Sequence, residues 1–585
     1  MIGTKSQSFV VAGAAVLLGL GLAACGGSGS TSSTSSTGIA PGPAGLQGVK
    51  HALLISIDGL HQQDLAACVA ASTCPNIASL SNTGVTYTAA NTPGLSDSVP
   101  GLAALVTGGS PKSTGLFYDD IYDRNLYAGT DATCTGKQGV EVLLQEQAGE
   151  DAFNGGALVH LDGGGDFNSQ QVPRMKNAAG SCVPVYPHNF IQTNTIFEVV
   201  RQNIAGAYTA WADKHAWGTD WVNGPSGTGV MDLARTEINA DFNTARGFAS
   251  AAGYDFTNTP TQTKVFDHYH TQIILNQIDG LDSTGVVSAA AGGALKSNKI
   301  PVPTLFGTNY QTLSVAQKAL NVNGGGYKDA NFTPNALTAD AIAFLDGEIG
   351  QIKAELSKQN LLGSTLIIIS AKHGQTPADR SALRKIGDTI GSTLAAANLG
   401  ANSNIGSGTD SVTGNVLGTG QFTEDDVGFI WLNDQSDAAR AAAIAALKAN
   451  LGCPAVDPTS KIIVAGQSNP GICAGTDPGS GVIDLKADGR FGDPAKGRTP
   501  DIMVQPNAGV IYSKSGKKDA EHGGAAPNDS NVALLVSFPT LSKQTIGTAV
   551  ATTQVAPTIV KALGLDPGLL NSVTSEGTAV LPGLF

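Results

Sequence analysis

Five short runs of almost unbroken apolar residues constrain what this chain can fold into. They are HALLISID at 51–58, STLIIIS at 364–370, VGFIWL at 427–432, DIMV at 501–504 and VALLVS at 532–537. None alternates apolar with polar residues, so none reads as a strand with one wet face. Such runs are strands covered on both sides, the situation of a parallel sheet packed between helices. Helical patterns fall between them, at 76–82, 99–107, 193–203, 338–359 and 436–450 and near 553–564. The alternation predicts an α/β fold, a mostly parallel central sheet with helices on both faces. Stretches near 125–185, 285–335 and 395–425 are rich in Gly, Asn and Thr and poorly periodic. These read as insertions that cap the sheet edge.

The 585 residues allow one large domain with insertions, and residues 49–585 are read that way. A charged fraction of 14% and a net charge of −13 exclude a broad nucleic-acid-binding surface, whose affinity comes from Lys and Arg on phosphates. Residues 1–24 read as a signal peptide. Lys5 precedes the apolar stretch FVVAGAAVLLGLGLAA, which is too short for a membrane span. It ends in Leu22-Ala23-Ala24-Cys25-Gly26, which resembles the lipobox of bacterial lipoproteins, in which the Cys is lipidated. Residues 25–48 then form a flexible Gly/Ser/Thr tether. The expectation is an exported protein anchored by lipid in the bacterial cell envelope, periplasmic or on the cell surface. Its membrane contact is through that anchor alone. Six cysteines remain, an even number that reads as three disulfides in an exported chain. Proximity favours Cys68–Cys74, Cys134–Cys182 and Cys453–Cys473.

Ligands of open α/β sheets gather at the carboxyl ends of the strands. The first strand ends in Asp58-Gly59, and the strand at 364–370 ends in Ser370-Ala371-Lys372-His373-Gly374. Glu521-His522-Gly523-Gly524 precedes the last strand. The helix at 99–107 opens with Asp97-Ser98-Val99-Pro100. There Asp97 or Ser98 suits a cap, and Pro100 suits a first turn. A helix N-terminus also binds phosphate, and a hydroxyl placed there attacks phosphorus once ionised.

These pieces together resemble the alkaline phosphatase superfamily, in particular its type I phosphodiesterase/nucleotide pyrophosphatase branch. The segments that carry the resemblance are LLISIDGL at 53–60, CPNIASLSNTGVTY at 74–87, SVPGLAALVTGGSPKSTG at 98–115, the stretch from Phe344 to Gly374, and EHGG at 521–524. The resemblance implies a phosphoesterase acting on a small phosphate ester, a phosphodiesterase rather than a monoesterase. It implies in-line attack by Ser98 through a phospho-serine intermediate. Asp58, Ser98, His373 and His522 would be metal ligands, for one or two zinc ions or another divalent metal. Asp97 resembles the Asp of the Asp-Ser pair in alkaline phosphatases.

Three departures qualify that carry-over. Lys372 stands where the family has Asp before His-Gly, and an ammonium cannot ligate a metal. It is expected to stand in for part of one metal's charge, leaving a single-metal or altered site that also faces the phosphate. Gly101 stands where nucleotide pyrophosphatases have an Asn that holds phosphate. The family's mid-chain Asp-x-x-x-His metal pair has no clear match. Asp213 and His215 in AWADKHAWGTDW are read as its stand-ins, beside Trp211, Trp217 and Trp221, against a structural Asp–His pair as the plain alternative. Asp267, His268 and His270 in VFDHYH are the other set offered. Asp346 reads as a cap or ion-pair partner, and His51, His160 and His188 as packing or surface residues. Asp119, Asp120 and Asp123 read as a solvated acidic loop. Rival readings are a sulfatase or phosphonate hydrolase, disfavoured by Leu102 where sulfatases carry Arg, a phosphoryl transferase, and a non-catalytic surface lipoprotein.

Overall fold

The structure, a computed structural model, describes residues 46–143, 172–215, 218–239, 256–399, 408–409, 416–417, 421–432, 434–467, 470–513 and 515–585. The signal peptide, Cys25, most of the tether, His160 and Trp217 lie outside the described residues. Eight strands form the central sheet: β1 (His51–Ile57), β2 (Gly84–Tyr87), β3 (Ala210–Asp213), β4 (Asp232–Arg235), β5 (Leu305–Tyr310), β6 (Thr365–Ser370), β7 (Leu534–Ser537) and β8 (Gln544–Ile546). Their order is β8-β2-β7-β6-β1-β5-β3-β4. β1 pairs in parallel with β5 and β6, and β5, β3 and β4 continue in parallel. β7 runs antiparallel to both of its neighbours.

The unbroken apolar character of β1 follows from the two cores it separates. Ala52 and Leu54 face one core, with helix α1 (Ser98–Thr107) and helix α4 (Val555–Ala562) packed there. Leu53, Ile55 and Ile57 face the other, against α2 (Pro260–Ile278) and α3 (Ala336–Lys358). Both faces are dry, so both sets are apolar.

Two expectations change. The runs at 427–432 and 501–504 form strands, but in a second, four-stranded antiparallel sheet made by Gln421–Glu424, Val427–Ile430, Ile502–Gln505 and Gly481–Asp484. An apolar run announces burial without naming its partner. The stretch 285–335, read as an insertion, supplies β5 in the middle of the central sheet. Its sequence, LFGTNY, hides this because Thr308 and Asn309 are polar yet fully buried. Gly307 is there because a Cβ would meet the Leu54 carbonyl oxygen at 2.1 Å.

The three disulfides are those that proximity favours, with Cα separations of 5.3, 5.5 and 4.0 Å in chain order. Among the described residues no helix is long and apolar enough to cross a membrane.

Candidate active site

The register of the sheet brings four strand ends to one place. Asp58 N donates to Tyr310 O at 3.0 Å and Gly59 N donates to His373 O at 3.0 Å. Asp58, at the end of β1, is thereby flanked by Gln311 beyond β5 and by Lys372-His373 beyond β6. β3, paired to β5, ends at Asp213 and delivers Lys214 and His215 to the same edge.

Helix α1 enters this edge by its N-terminus, and all ten of its residues are buried. Asp97 is the cap, its Oδ1 accepting from Val99 N at 3.0 Å. Gly101 allows the helix to approach closely. A Cβ there would meet the carbonyl oxygen of Lys372 at 2.1 Å, so the position serves the contact between the helix and the Lys372 backbone.

Ser98 is 3% exposed and has three polar neighbours. Lys214 Nζ donates to Ser98 Oγ at 2.7 Å, while Asp58 Oδ2 and His373 Nε2 each lie 3.4 Å from it. His373 Nδ1 lies 2.7 Å from Gly374 O, an acceptor only, so Nδ1 carries a proton, and in the neutral ring the Nε2 lone pair faces Ser98. The turn that holds His373 is pinned from behind by His61. His61 Nε2 accepts from Gln375 N at 2.9 Å, and its Nδ1 meets Asp64 Oδ2 at 2.8 Å.

His522, from the late loop, packs on His373 with ring centroids 3.8 Å apart. Its Nδ1 stands 4.0 Å from Asp97 Oδ2 and 3.8 Å from Asp425 Oδ2. Asp425 belongs to the turn of the second sheet and was not foreseen. Tyr118 donates its hydroxyl to Asp425 at 2.7 Å.

Lys372 and Asp213 form a buried pair, Nζ lying 2.9 Å from each carboxylate oxygen. Asp213 also accepts from Trp211 Nε1 at 3.2 Å and from Lys214 N at 2.8 Å. His215 lines the same cleft, with its Nδ1 2.9 Å from Glu237 Oε1. Trp221, Thr219 and Leu102 complete the cleft wall between Ser98 and Lys372. Lys214 and Gln311 were missed from sequence. The Gln311 side-chain amide donates to Asp58 Oδ2.

Charge in this cluster is balanced by lysines. Burial would push Asp58 up, but Lys372, Lys214 and His373 outweigh it and hold the carboxyl well below its usual range. For Lys214 burial again opposes the charge, and Asp58, Asp213 and Asp97 overcome it and raise its pKa, so it remains an ammonium. Burial pushes Asp97 up. Burial, followed by His373, Lys318 and Lys214, drives His522 well below the usual imidazole value. Asp58 Oδ1, Asp97 Oδ2 and His522 Nδ1 are buried with no hydrogen-bond partner.

The other residues singled out from sequence have structural partners. Asp267 sits behind Gln311, accepting from Gln311 N at 3.0 Å and from Thr312 N at 2.7 Å. Burial pushes its pKa up to about 7. His270 bridges Asn309 O and Thr236 Oγ1, and His268 pairs with Glu348. Asp346 caps the helix Pro75–Ser81 through Ile77 N at 2.8 Å. Asp120 and Asp123 lie buried in the strand Asp120–Tyr127, not in a solvated loop, and Asp123 pairs with Arg498; His188 pairs with Asp220, and His51 Nδ1 with Pro303 O.

The chain thus sets a buried serine at a helix mouth, at the carboxyl ends of a mostly parallel sheet, beside Asp58, His373 and Lys214. Residues 52–528 match the family described as type I phosphodiesterase / nucleotide pyrophosphatase. The chain belongs to that family, whose members are hydrolases acting on phosphoester bonds. No individually curated protein matches it. Among solved structures it resembles murine ectonucleotide pyrophosphatase / phosphodiesterase 5 at 13% identity and a TM-score of 0.45, over 91% of this chain and 96% of that one. It also resembles wild-type alkaline phosphatase PafA at 12% identity and a TM-score of 0.50, over 90% and 96% of the two chains. A substituted variant of PafA gives 11% identity and a TM-score of 0.52 over the same shares.

Proposed function

We propose that the chain is a phosphodiesterase acting on a small phosphate ester, with Ser98 as nucleophile. The observation that carries this is Ser98 Oγ itself, 2.7 Å from the Lys214 ammonium and 3.4 Å from the free lone pair of His373. His373 Nε2 accepts the hydroxyl proton as Ser98 Oγ forms its bond to phosphorus. The bond to the leaving oxygen breaks with its electron pair, and His373 returns the proton to that oxygen. Water repeats the sequence on the seryl phosphodiester so formed: the Oγ–P bond breaks with its electron pair, His373 returns the proton to Ser98 Oγ, and a phosphate monoester is released. The Lys214 ammonium, on Ser98 Oγ, lies beside the attacked phosphoryl group and offsets its developing negative charge.

The family's hydrolases depend on metals in general, and the residues present here fit a two-ion centre poorly. Among the described residues no group of three or more His, Cys, Asp or Glu side chains is assembled around one point. Lys372 and Gln311 are not metal-ligating side chains, and Asp213 is engaged by Lys372. The nearest approach to a donor set is Asp97, Asp425 and His522, two of which present unpartnered atoms.

The test is hydrolysis of bis(4-nitrophenyl) phosphate by the chain and by its Ser98→Ala variant. Turnover that disappears in Ser98→Ala is the expected result, and an unchanged rate would show that Ser98 only opens the helix. We also propose that lipid on Cys25 holds the enzyme at the bacterial cell envelope. Cys25→Ser is then expected to move it from the membrane fraction to the soluble one.

A further inference from the structure

We infer that Lys214 is a catalytic residue, and that its ammonium is the cation that stabilises the Ser98 alkoxide at the position where a metal ion would bridge Ser98 and Asp58. The inference rests on the reading of Ser98 as nucleophile. Ser98 Oγ and Asp58 Oδ2 are 3.4 Å apart, and Lys214 Nζ contacts both, at 2.7 and 3.4 Å. An ion bridging those two oxygens would have to share this space with a positive charge. Of the carboxylate oxygens of Asp58 and Asp213, Asp58 Oδ1 alone has no hydrogen-bond partner, and the others are engaged. The Gln311 amide donates to Asp58 Oδ2, and both oxygens of Asp213 lie on Lys372 Nζ.

The lysine is built into this place. Its side chain is 12% exposed, at the end of a central strand whose preceding residue, Asp213, is fixed by Lys372. A fixed ammonium in a nearly dry site stabilises developing negative charge far better than one in water, and it needs no reorganisation at the moment of reaction. Lys214 keeps its proton throughout. The Ser98 proton goes to His373, the new Oγ–P bond replaces the bond to the leaving oxygen, and the leaving group departs with its electron pair.

The experiment uses the full chain, with bound metal counted by mass spectrometry on every sample. Hydrolysis of bis(4-nitrophenyl) phosphate and calorimetric binding of inorganic phosphate are measured before and after exhaustive chelation. The variants are Ser98→Ala, Lys214→Met and Lys214→Arg. The wild type is expected to keep its turnover and its phosphate binding once metal content has fallen well below one ion per chain. Lys214→Met is expected to lose about 10²–10³ in kcat, the usual effect of removing one preorganised donor to a transition-state oxygen. Lys214→Arg retains the charge at a shifted point and should keep phosphate binding while losing part of kcat. It also serves as the folded control if Lys214→Met does not fold. Loss of both turnover and phosphate binding on chelation, reversed by zinc, would overturn the inference. So would a Lys214→Met variant that turns over at the wild-type rate. Phosphate binding that survives chelation and needs Lys214, in a chain whose turnover ignores Ser98→Ala, would refute the nucleophile reading while leaving the placement of the cation in force.

Discussion

Replacing Lys372 by Asp restores the carboxylate that the family places before His-Gly, and the structure gives the cost. Lys372 Nζ and the two oxygens of Asp213 are 2.9 Å apart, with side chains 2% and 0% exposed. Removing one partner of a buried pair leaves the other charge stranded, at about 3–5 kcal/mol. Lys372→Asp sets a second carboxylate near the first, so the upper part of that range is expected. Two hydrogen bonds to Asp213 survive, from Trp211 Nε1 and Lys214 N, and they keep the loss from exceeding it. The new carboxylate also lies beside His373 and Asp58, so the variant should gain affinity for zinc. Zinc at 100 times its dissociation constant would return about 2.7 kcal/mol. The assay is guanidinium unfolding of wild type and Lys372→Asp, each with chelator and with zinc, alongside metal counts. The wild type should respond little to zinc, whereas the variant should be several kcal/mol weaker in chelator and regain a little over half of that loss with the ion. A variant within about 1 kcal/mol of wild type in chelator would refute the assignment of a buried, stability-bearing pair. An equal zinc response in the two proteins would refute the view that Lys372 has altered the metal site.

Two further outcomes follow from the packing around the site. Gly101→Ala forces a Cβ onto the Lys372 carbonyl oxygen, 2.1 Å away, so α1 must retreat. Overpacking of this kind costs about 1–3 kcal/mol, and about 1 Å of displacement at Ser98 is worth about 10² in kcat. Unchanged unfolding midpoint and kcat would show that the contact is slack. Asp267 has its folded pKa pushed up to about 7 by burial, against about 3.9 unfolded. Its contribution is therefore complete below about pH 4 and is lost as pH rises through about 7, with a slope near 1.4 kcal/mol per pH unit in between. Unfolding midpoints should fall across that window in wild type and flatten in Asp267→Asn, and parallel profiles would refute the buried-acid reading.

The parts of the fold that were legible are those where burial alone writes the sequence. β1, β6 and β7 are apolar on both faces because both faces are dry, and they read as strands at once. β3 and β5 were illegible because AWAD and LFGTNY carry polar residues that the fold buries, Asp213 against the remote Lys372 and Thr308 and Asn309 in the interior. Asp58, Ser98 and His373 were legible as strand-end and helix-mouth residues, and the structure brings them within 3.4–3.6 Å of one another. Lys214 lay unremarked between Asp213 and His215. A lysine beside two recognised site residues carries no signal until the strand pairing shows which side chain meets the serine. Gln311 failed for a related reason. It follows β5 directly, so without that strand no end of it could be searched.

The contact between Gly101 and the Lys372 carbonyl links two of the three departures from the family pattern. A side chain at 101, including the Asn that would grip phosphate, cannot be accommodated while the Lys372 backbone stays where it is. The backbone stays there because its own side chain is anchored on Asp213. Position 101 can therefore not be filled while Lys372 stays anchored. A lineage or an engineer that set out to restore both features would have to move the strand end first and fill the helix position second, and the intermediate steps would cost stability before they returned any function.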